Sequence, residues 1–325
     1  MDKVVVTGGA GYVGSHACKL LARDGYLPVT VDNLSRGHRE AVRWGPLEVG
    51  DLSDQAFLDR TLARHEPIAV MHFAAFAYVG ESVEQPQMYY RNNVCGSLSL
   101  FDAVVRHAIP ALVFSSSCAV YGIPDTLLLA EDHPTRPINP YGRSKLMVET
   151  ILRDLDAANG LRSVSLRYFN AAGADPEGEI GETHDPETHA LPLAIATALG
   201  GRPHFDILGT DYPTRDGTPV RDYIHVMDLA AAHVAALRYL LAGGATDAFN
   251  LGTGRGCSVR ELLDSVERMT QRPVAVRNGL RRPGDPPQLV ADATRASSVL
   301  SWAPVQSSLD EIVSTALLWH RRQRG

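Results

Sequence analysis

The sequence predicts an α/β fold, a doubly wound parallel sheet joined to a smaller α/β unit, and three observations carry that prediction. Short β-branched apolar runs alternate with longer amphipathic stretches from residue 1 to about 171. Several runs are apolar almost throughout instead of at every second position, which marks strands covered on both faces. A glycine-rich turn, TGGAGYVG at 7–14, joins the first run to the first helical stretch.

In chain order the strand-forming runs are KVVVT (3–7), PVTVD (28–32), PLEVGD (46–51), PIAVMHF (67–73), ALVFSS (111–116) and RSVSLRY (162–168). Helical stretches fall between them at about 12–24, 53–65, 86–107 and 139–159, and the strand–helix rhythm implies a parallel sheet covered on both faces. After Asn170 the segment AAGADPEGEIGETHDPE can continue neither a helix nor a central strand, so it leads into a second unit. GTDYPTRDGTP (209–219) and GLRRPGDPP (279–287) read as functional loops. We expect a first domain over 1–171 and a second over 172–325, with the segment at about 221–252 a candidate to return to the first.

Composition excludes several function classes. Of 325 residues, 45% are hydrophobic and 21% charged, and no apolar run approaches the roughly 20 residues of a membrane span. The opening MDKVVVTGG goes straight into a strand and has no signal-peptide architecture, so a cytoplasmic location is expected. Cys18, Cys95, Cys118 and Cys257 form no C-x-x-C pair, and no histidine has metal-ligand spacing, so neither a metal nor a disulfide framework is expected. A net charge of −6 offers no field for nucleic acid or an anionic membrane. Any anionic ligand must be met locally.

The turn fits G-x-G-x-x-G through Gly9, Gly11 and Gly14, and G-x-x-G-x-x-G through Gly8, Gly11 and Gly14. Glycines there let the backbone approach a pyrophosphate at a helix N-terminus. Alone the pattern is weak, but it follows a strand, opens a helix, and precedes Asp32 at the end of the second strand. A carboxylate there accepts both ribose hydroxyls and repels a 2′-phosphate, which selects NAD over NADP in a Rossmann-type fold.

Tyr141 and Lys145 stand at i and i+4 in a helical stretch, on one face. A phenol is a poor base at neutral pH, and a nearby ammonium is expected to lower its pKa. Only three of the 31 basic residues are lysines, so the placement of Lys145 is informative. The run ALVFSSS delivers Ser115, Ser116 and Ser117 to the carboxyl end of a strand, where open α/β sheets hold ligands. His72 and His225 lie in apolar or strand-like settings and read as structural.

With these residues in place the chain resembles a known family along nearly its whole length. TGGAGYVGSH, VDNLSRG, GDLSD, HFAAFAYVGESV, NNVCGSL, VFSSSCAVYG, NPYGRSKLMVE, LRYFNAAGA, DYPTRDGTPVRDYIHVMDLA and FNLGTG are similar to successive signature blocks of the UDP-glucose 4-epimerases, within the extended short-chain dehydrogenase/reductases. The resemblance implies Tyr141 as base, Lys145 as its pKa-lowering partner and holder of the nicotinamide ribose, and Ser117 as the hydroxyl partner. It implies Gly8, Gly11, Tyr12, Val13 and Gly14 at the pyrophosphate and Asp32 with Asn33 at the adenosine ribose. Asp51 and Leu52 would lie near adenine, Phe73, Ala74, Ala75 and Asn92 along the cofactor, and Phe169 beside the nicotinamide. Asn170, His189, Arg221, Tyr223, Arg282 and Asp285 would hold the UDP-sugar.

The chain departs from better-known members at Ala77, where some carry lysine, at His189, where asparagine is frequent, and at Leu208, where an aromatic is usual. Leu289 occupies the position that limits sugar size, and its intermediate bulk favours UDP-glucose and UDP-galactose while leaving UDP-N-acetylhexosamines and UDP-xylose with UDP-arabinose open. A nucleotide-sugar 4,6-dehydratase would need an Asp-Glu pair where this chain has Cys118-Ala119-Val120. A non-enzymatic NAD sensor would usually lack Tyr141 and Lys145. The resemblance also implies a homodimer, paired through helices at 86–107 and 141–159.

Overall fold

The computed structural model describes residues 1–281 and 285–323. Six strands, β1 (Lys3–Thr7), β2 (Leu27–Asp32), β3 (Leu47–Val49), β4 (Ala69–His72), β5 (Ala111–Ser115) and β6 (Arg162–Tyr168), join a seventh at Asp247–Leu251 in one sheet. Its order is Asp247–Leu251, β6, β5, β4, β1, β2, β3, and every pairing is parallel. The order reverses between β1 and β4, so the crevice at their carboxyl ends is where such a sheet takes ligands.

Period-two geometry explains the continuous apolar runs. Val4 and Val6 of β1 enter one core layer and Val5 the other. Met71 of β4 and Val113 of β5 join the first layer, and Val70 and Leu112 the second. The first layer is roofed by helices Tyr12–Arg23 and Val226–Leu241, the second by Gln55–His65, Gly96–Arg106 and Pro140–Asn159. Each fully buried valine contributes about 1.5–3 kcal/mol, so a charged residue at Val5 would break the sheet.

The predicted helix at 86–107 contains a π turn at Tyr90–Cys95 between α-helical Pro86–Tyr89 and Gly96–Arg106. Asn93 accounts for it: its side chain accepts from the Phe76 amide and donates to the Phe76 carbonyl and Ser144 Oγ. Such π turns cluster at functional sites. Helix Pro140–Asn159 has the punctuation its sequence announces, with Asn139 accepting from the Gly142 amide, Pro140 at the first position and Gly160 left-handed at the end.

Beyond the sheet a third core packs Leu191 and Ile195, Leu262 and Val266, and Ile312 and Val313 from three helices, Ala190–Ala198, Val259–Thr270 and Leu309–Arg322. Short ladders stitch this part to the sheet: Tyr223–His225 pairs with Asn170–Ala172, and Val220–Arg221 lies between Cys257–Ser258 and Gln288–Leu289. No described helix is long and apolar enough to cross a membrane.

Candidate active site

The two parts enclose a cleft of about 1930 Å³ above the carboxyl ends of β1, β2, β4 and β5. That exceeds the few hundred to about 1,000 Å³ of a single small-ligand pocket and suits two ligands side by side.

Its floor is the glycine turn. Gly8 has φ +73°, and a Cβ there would fall 2.5 Å from the Ala74 amide nitrogen. A Cβ on Gly14 would fall 2.2 Å from the Gly8 carbonyl oxygen, so these two glycines are packing requirements. Gly11 differs, because its Cβ would meet only that carbonyl, at 3.2 Å. It is the N-cap of helix Tyr12–Arg23 and supplies no side-chain cap. The first amides of the helix are thereby left for an anion in the cleft. Tyr12, Val13 and Gly14 line the same wall, and the Tyr12 hydroxyl donates to the Gly173 carbonyl at 2.6 Å.

At the end of β2, Asp32 accepts from the Ala10 and Leu34 amides at 3.1 and 2.9 Å. Burial pushes its carboxyl up and those amides oppose the shift. Asn33 donates to Asp51 at 2.7 Å, and the Ser53 hydroxyl and amide hold Asp51 below the usual carboxylate range. Leu52, Phe73, Ala74, Ala75 and Asn92 complete this half of the wall. The arrangement fits a dinucleotide: a backbone cradle for the pyrophosphate, with a carboxylate one strand away.

Tyr141 lies in the first turn of its helix and Lys145 one turn on. Tyr141 and Ser117 open onto the cleft, whereas Lys145 is buried, its Nζ 5.8 Å from the Tyr141 ring centroid. That Nζ donates to the Ser115 carbonyl at 2.7 Å. Burial lowers Lys145 to about 7, with the Glu149 carboxylate opposing. Burial raises Tyr141, the Tyr168 phenol adds to the rise, and a hydrogen bond with Ser117 opposes it. The lowered phenol expected from the sequence is therefore corrected: desolvation dominates at Tyr141, and the Lys145 ammonium is directed at the Ser115 carbonyl.

The opposite wall is built by the short ladders. Asn170 pairs with Tyr223 in register, and Arg221 with Leu289. Arg221 donates to Asp285 at 2.5 Å, and Phe169, Asn170, Arg221, Tyr223, Asp285 and Leu289 all line the cleft. His189 lies on the same wall with its Nδ1 2.9 Å from Glu187. Burial works against its charge, but the Glu182 and Glu187 carboxylates raise its pKa to about 10. Arg282 lies outside the described residues.

Other wall residues carried no signal that the sequence reading used. Arg36 donates to Glu81 at 2.6 Å and stacks over Phe76 and Tyr78, 4.7 and 4.8 Å from the ring centroids. Its place in VDNLSRG, four residues past Asp32, was the available clue. Tyr168, whose hydroxyl meets Ser115 Oγ at 2.7 Å, was read only as the end of a strand. His72 bonds to Thr7 and Ser97, and burial drives it down to about 3.

Known proteins are similar to this chain in sequence and fold. Over its full length the chain is 56% identical to a UDP-glucose 4-epimerase from Rhizobium meliloti (strain 1021), 99% of which is covered. The crystal structure of UDP-glucose 4-epimerase from Brucella ovis in complex with NAD is 54% identical, with a TM-score of 0.96 over 98% of each chain. A Stenotrophomonas maltophila UDP-glucose 4-epimerase with bound NAD and formylated UDP-arabinopyranose is 39% identical, with a TM-score of 0.97 over 100% of this chain and 99% of that one. Residues 4–252, from β1 through the last strand of the sheet, match a single family description, and on that match and these relatives the chain belongs to the NAD dependent epimerase/dehydratase family.

Proposed function

We propose that the chain interconverts UDP-glucose and UDP-galactose by inverting C4 of the sugar, with NAD held in the cleft. The observation that carries this reading is one continuous cavity that joins the Gly11 cradle, the Tyr141–Ser117 pair and Arg221. NAD, when bound, supplies a hydride acceptor, and then donor, at C4 and places a positive charge near Tyr141. Tyr141 takes the 4-hydroxyl proton, Ser117 holds the reacting oxygen, and Lys145 braces the phenol from behind. Asn170, Arg221, Tyr223, Asp285 and Arg282 hold the UDP, with Arg221 supplying the charge that a net −6 chain must provide locally. His189 joins them through Nε2, its Nδ1 facing Glu182 and Glu187. Anchored by its nucleotide, the oxidised sugar would have room in the wide cleft to present either face of C4 to the cofactor, and Tyr141 would hold the 4-hydroxyl proton and return it.

Leu289, packed beside the Phe169 cluster, supports a hexose-sized pocket. A second reading, pentose epimerisation, draws support from the UDP-arabinopyranose bound by the Stenotrophomonas relative. We also propose a cytoplasmic homodimer, paired through helices at 86–107 and 141–159: Leu98 and Met147 are exposed there, where a partner would cover them. The proposed domain division is 1–171 for NAD and 172–325 mainly for the UDP-sugar, with part of 221–252 returning to the first.

The test is product analysis with UDP-galactose, UDP-N-acetylgalactosamine and UDP-arabinose, each without added NAD. Conversion to the C4 epimer, fastest for UDP-galactose, is expected. Failure to convert any of them, even with NAD supplied, would overturn the reading.

A further inference from the structure

Four side chains on the loop after Gly181 converge in a way the reaction above does not require. Glu182, His184, Glu187 and His189 each turn one ligand-competent atom inward, and those atoms all lie within 4.8 Å of one another. His189 Nδ1 is 2.9 Å from an oxygen of Glu182 and 2.9 Å from one of Glu187. His184 Nδ1 is 3.2 Å from that same Glu182 oxygen and 3.6 Å from the other Glu187 oxygen. In a quartet held by hydrogen bonds, each Nδ1–H would point along a carboxylate. His189 does so toward Glu187. His184 does not: its Nδ1 is shielded from solvent and makes no hydrogen bond among the described residues, although it lies within reach of Glu182.

We propose that these four residues bind one divalent transition-metal cation of the zinc class through two imidazole nitrogens and two carboxylate oxygens. Metal–ligand distances of about 2.0–2.2 Å in a tetrahedron place neighbouring ligand atoms about 3.3–3.5 Å apart. The four nitrogen–oxygen separations here, 2.9 to 3.6 Å, bracket that edge, and all four ligand atoms lie within 4.8 Å of one another. Two nitrogens among four ligands favour zinc, cobalt or nickel over calcium or magnesium, which take oxygen. The Glu182 side chain is only 7% exposed, so an ion held there would sit largely out of water, exchanging places with the imidazole protons that now face the two carboxylates.

The ligands are also braced. Glu187 accepts from the Thr188 and His189 amides at 2.7 Å, Trp319 holds the Glu182 carbonyl at 2.9 Å, and the Tyr12 and Tyr78 rings pack edge-on against His184. Such support fixes ligand orientation before the ion arrives. The other acidic cluster, Asp175, Glu177 and Glu179, is a useful contrast, because Lys19 Nζ lies 2.7 Å from all three and already fills the place an ion would take. All four proposed ligands line the cleft. A bound ion would therefore pin the loop that carries His189.

Chelator-treated, dialysed protein with its NAD retained should bind one equivalent of Zn²⁺ by calorimetry, and Zn²⁺ should raise its Tm. His184→Ala and Glu182→Gln should each weaken that equivalent at least about 100-fold. Cys95→Ser, which removes an exposed thiol, should keep it. Co²⁺ on the wild type should give the intense visible absorption of a tetrahedral site, a readout independent of whether the variants fold. No saturable equivalent, unchanged affinity in both ligand variants, or a weak octahedral Co²⁺ spectrum would overturn the proposal. None of these readouts uses turnover, so the metal site and the epimerase reading fail separately.

Discussion

Lys145 donates its ammonium proton to the Ser115 carbonyl, 2.7 Å away, from a buried position one helical turn below Tyr141. Desolvation lowers Lys145 from 10.5 to about 7. Below pH 7 the folded and unfolded chains both carry the proton, and the folded state bears the cost of a desolvated charge. Between about pH 7 and 10.5 the folded state has released the proton while the unfolded state keeps it, so this cost is relieved and stability rises with pH. Cofactor-free wild type should therefore gain denaturant resistance relative to Lys145→Met across that window. Parallel pH profiles for the two proteins would show that Lys145 is not desolvated as described.

Tyr141 is the proposed proton acceptor, and its ring forms part of the cleft wall. Tyr141→Phe keeps that ring and deletes the hydroxyl. It should lower kcat about 10²–10⁴-fold and leave bound NAD, released by denaturation and measured by absorbance, at the wild-type level. A near wild-type rate would remove Tyr141 from the chemistry.

The glycines of the turn separate packing from ligand approach. Gly14→Ala drives a methyl to 2.2 Å from the Gly8 carbonyl oxygen and should cost about 1–3 kcal/mol or more by overpacking, read as a lower melting temperature. Gly11→Ala meets only a 3.2 Å contact, so it should fold normally and purify without NAD. Equal thermal losses in both variants would refute the distinction.

Arg221 is paired with Asp285 at 2.5 Å and faces the cleft. A charge-assisted contact to phosphate contributes about 1.5–3 kcal/mol, so Arg221→Leu should raise KM for the UDP-sugar about 10–100-fold with kcat changed far less. Steady-state kinetics over a wide substrate range separates the two, and an unchanged KM would place the UDP elsewhere.

The sheet was legible because its strands are buried on both faces and its first turn is built from glycine. Six strand runs appear at or within two residues of their predicted bounds, since Val4, Val5 and Val6 have no solvent face to confuse the pattern. The ladders after Asn170 were not legible: Val220–Arg221 and Gln288–Leu289 are two residues each, too short for periodicity, and their partners lie tens of residues away. Glu182, His184 and Glu187 were passed over, and His189 was read only as a substrate contact, for a related reason. In a loop rich in glycine and proline no repeat marks which side chains share a side, and only the folded path brings the four atoms together. The phenol's pKa was misjudged because sequence places the ammonium near Tyr141 but cannot report that both groups are dry.

The central claim is that C4 inverts by hydride leaving and returning within one cleft. It is tested most directly by running the reaction with UDP-galactose in deuterium oxide and examining the UDP-glucose formed by mass spectrometry and proton NMR. The account predicts full conversion with no deuterium at any ring carbon, because Tyr141 exchanges only the 4-hydroxyl proton with solvent. Deuterium at C4, or at C5, would mean that a carbon-bound hydrogen is lost as a proton, and would contradict it.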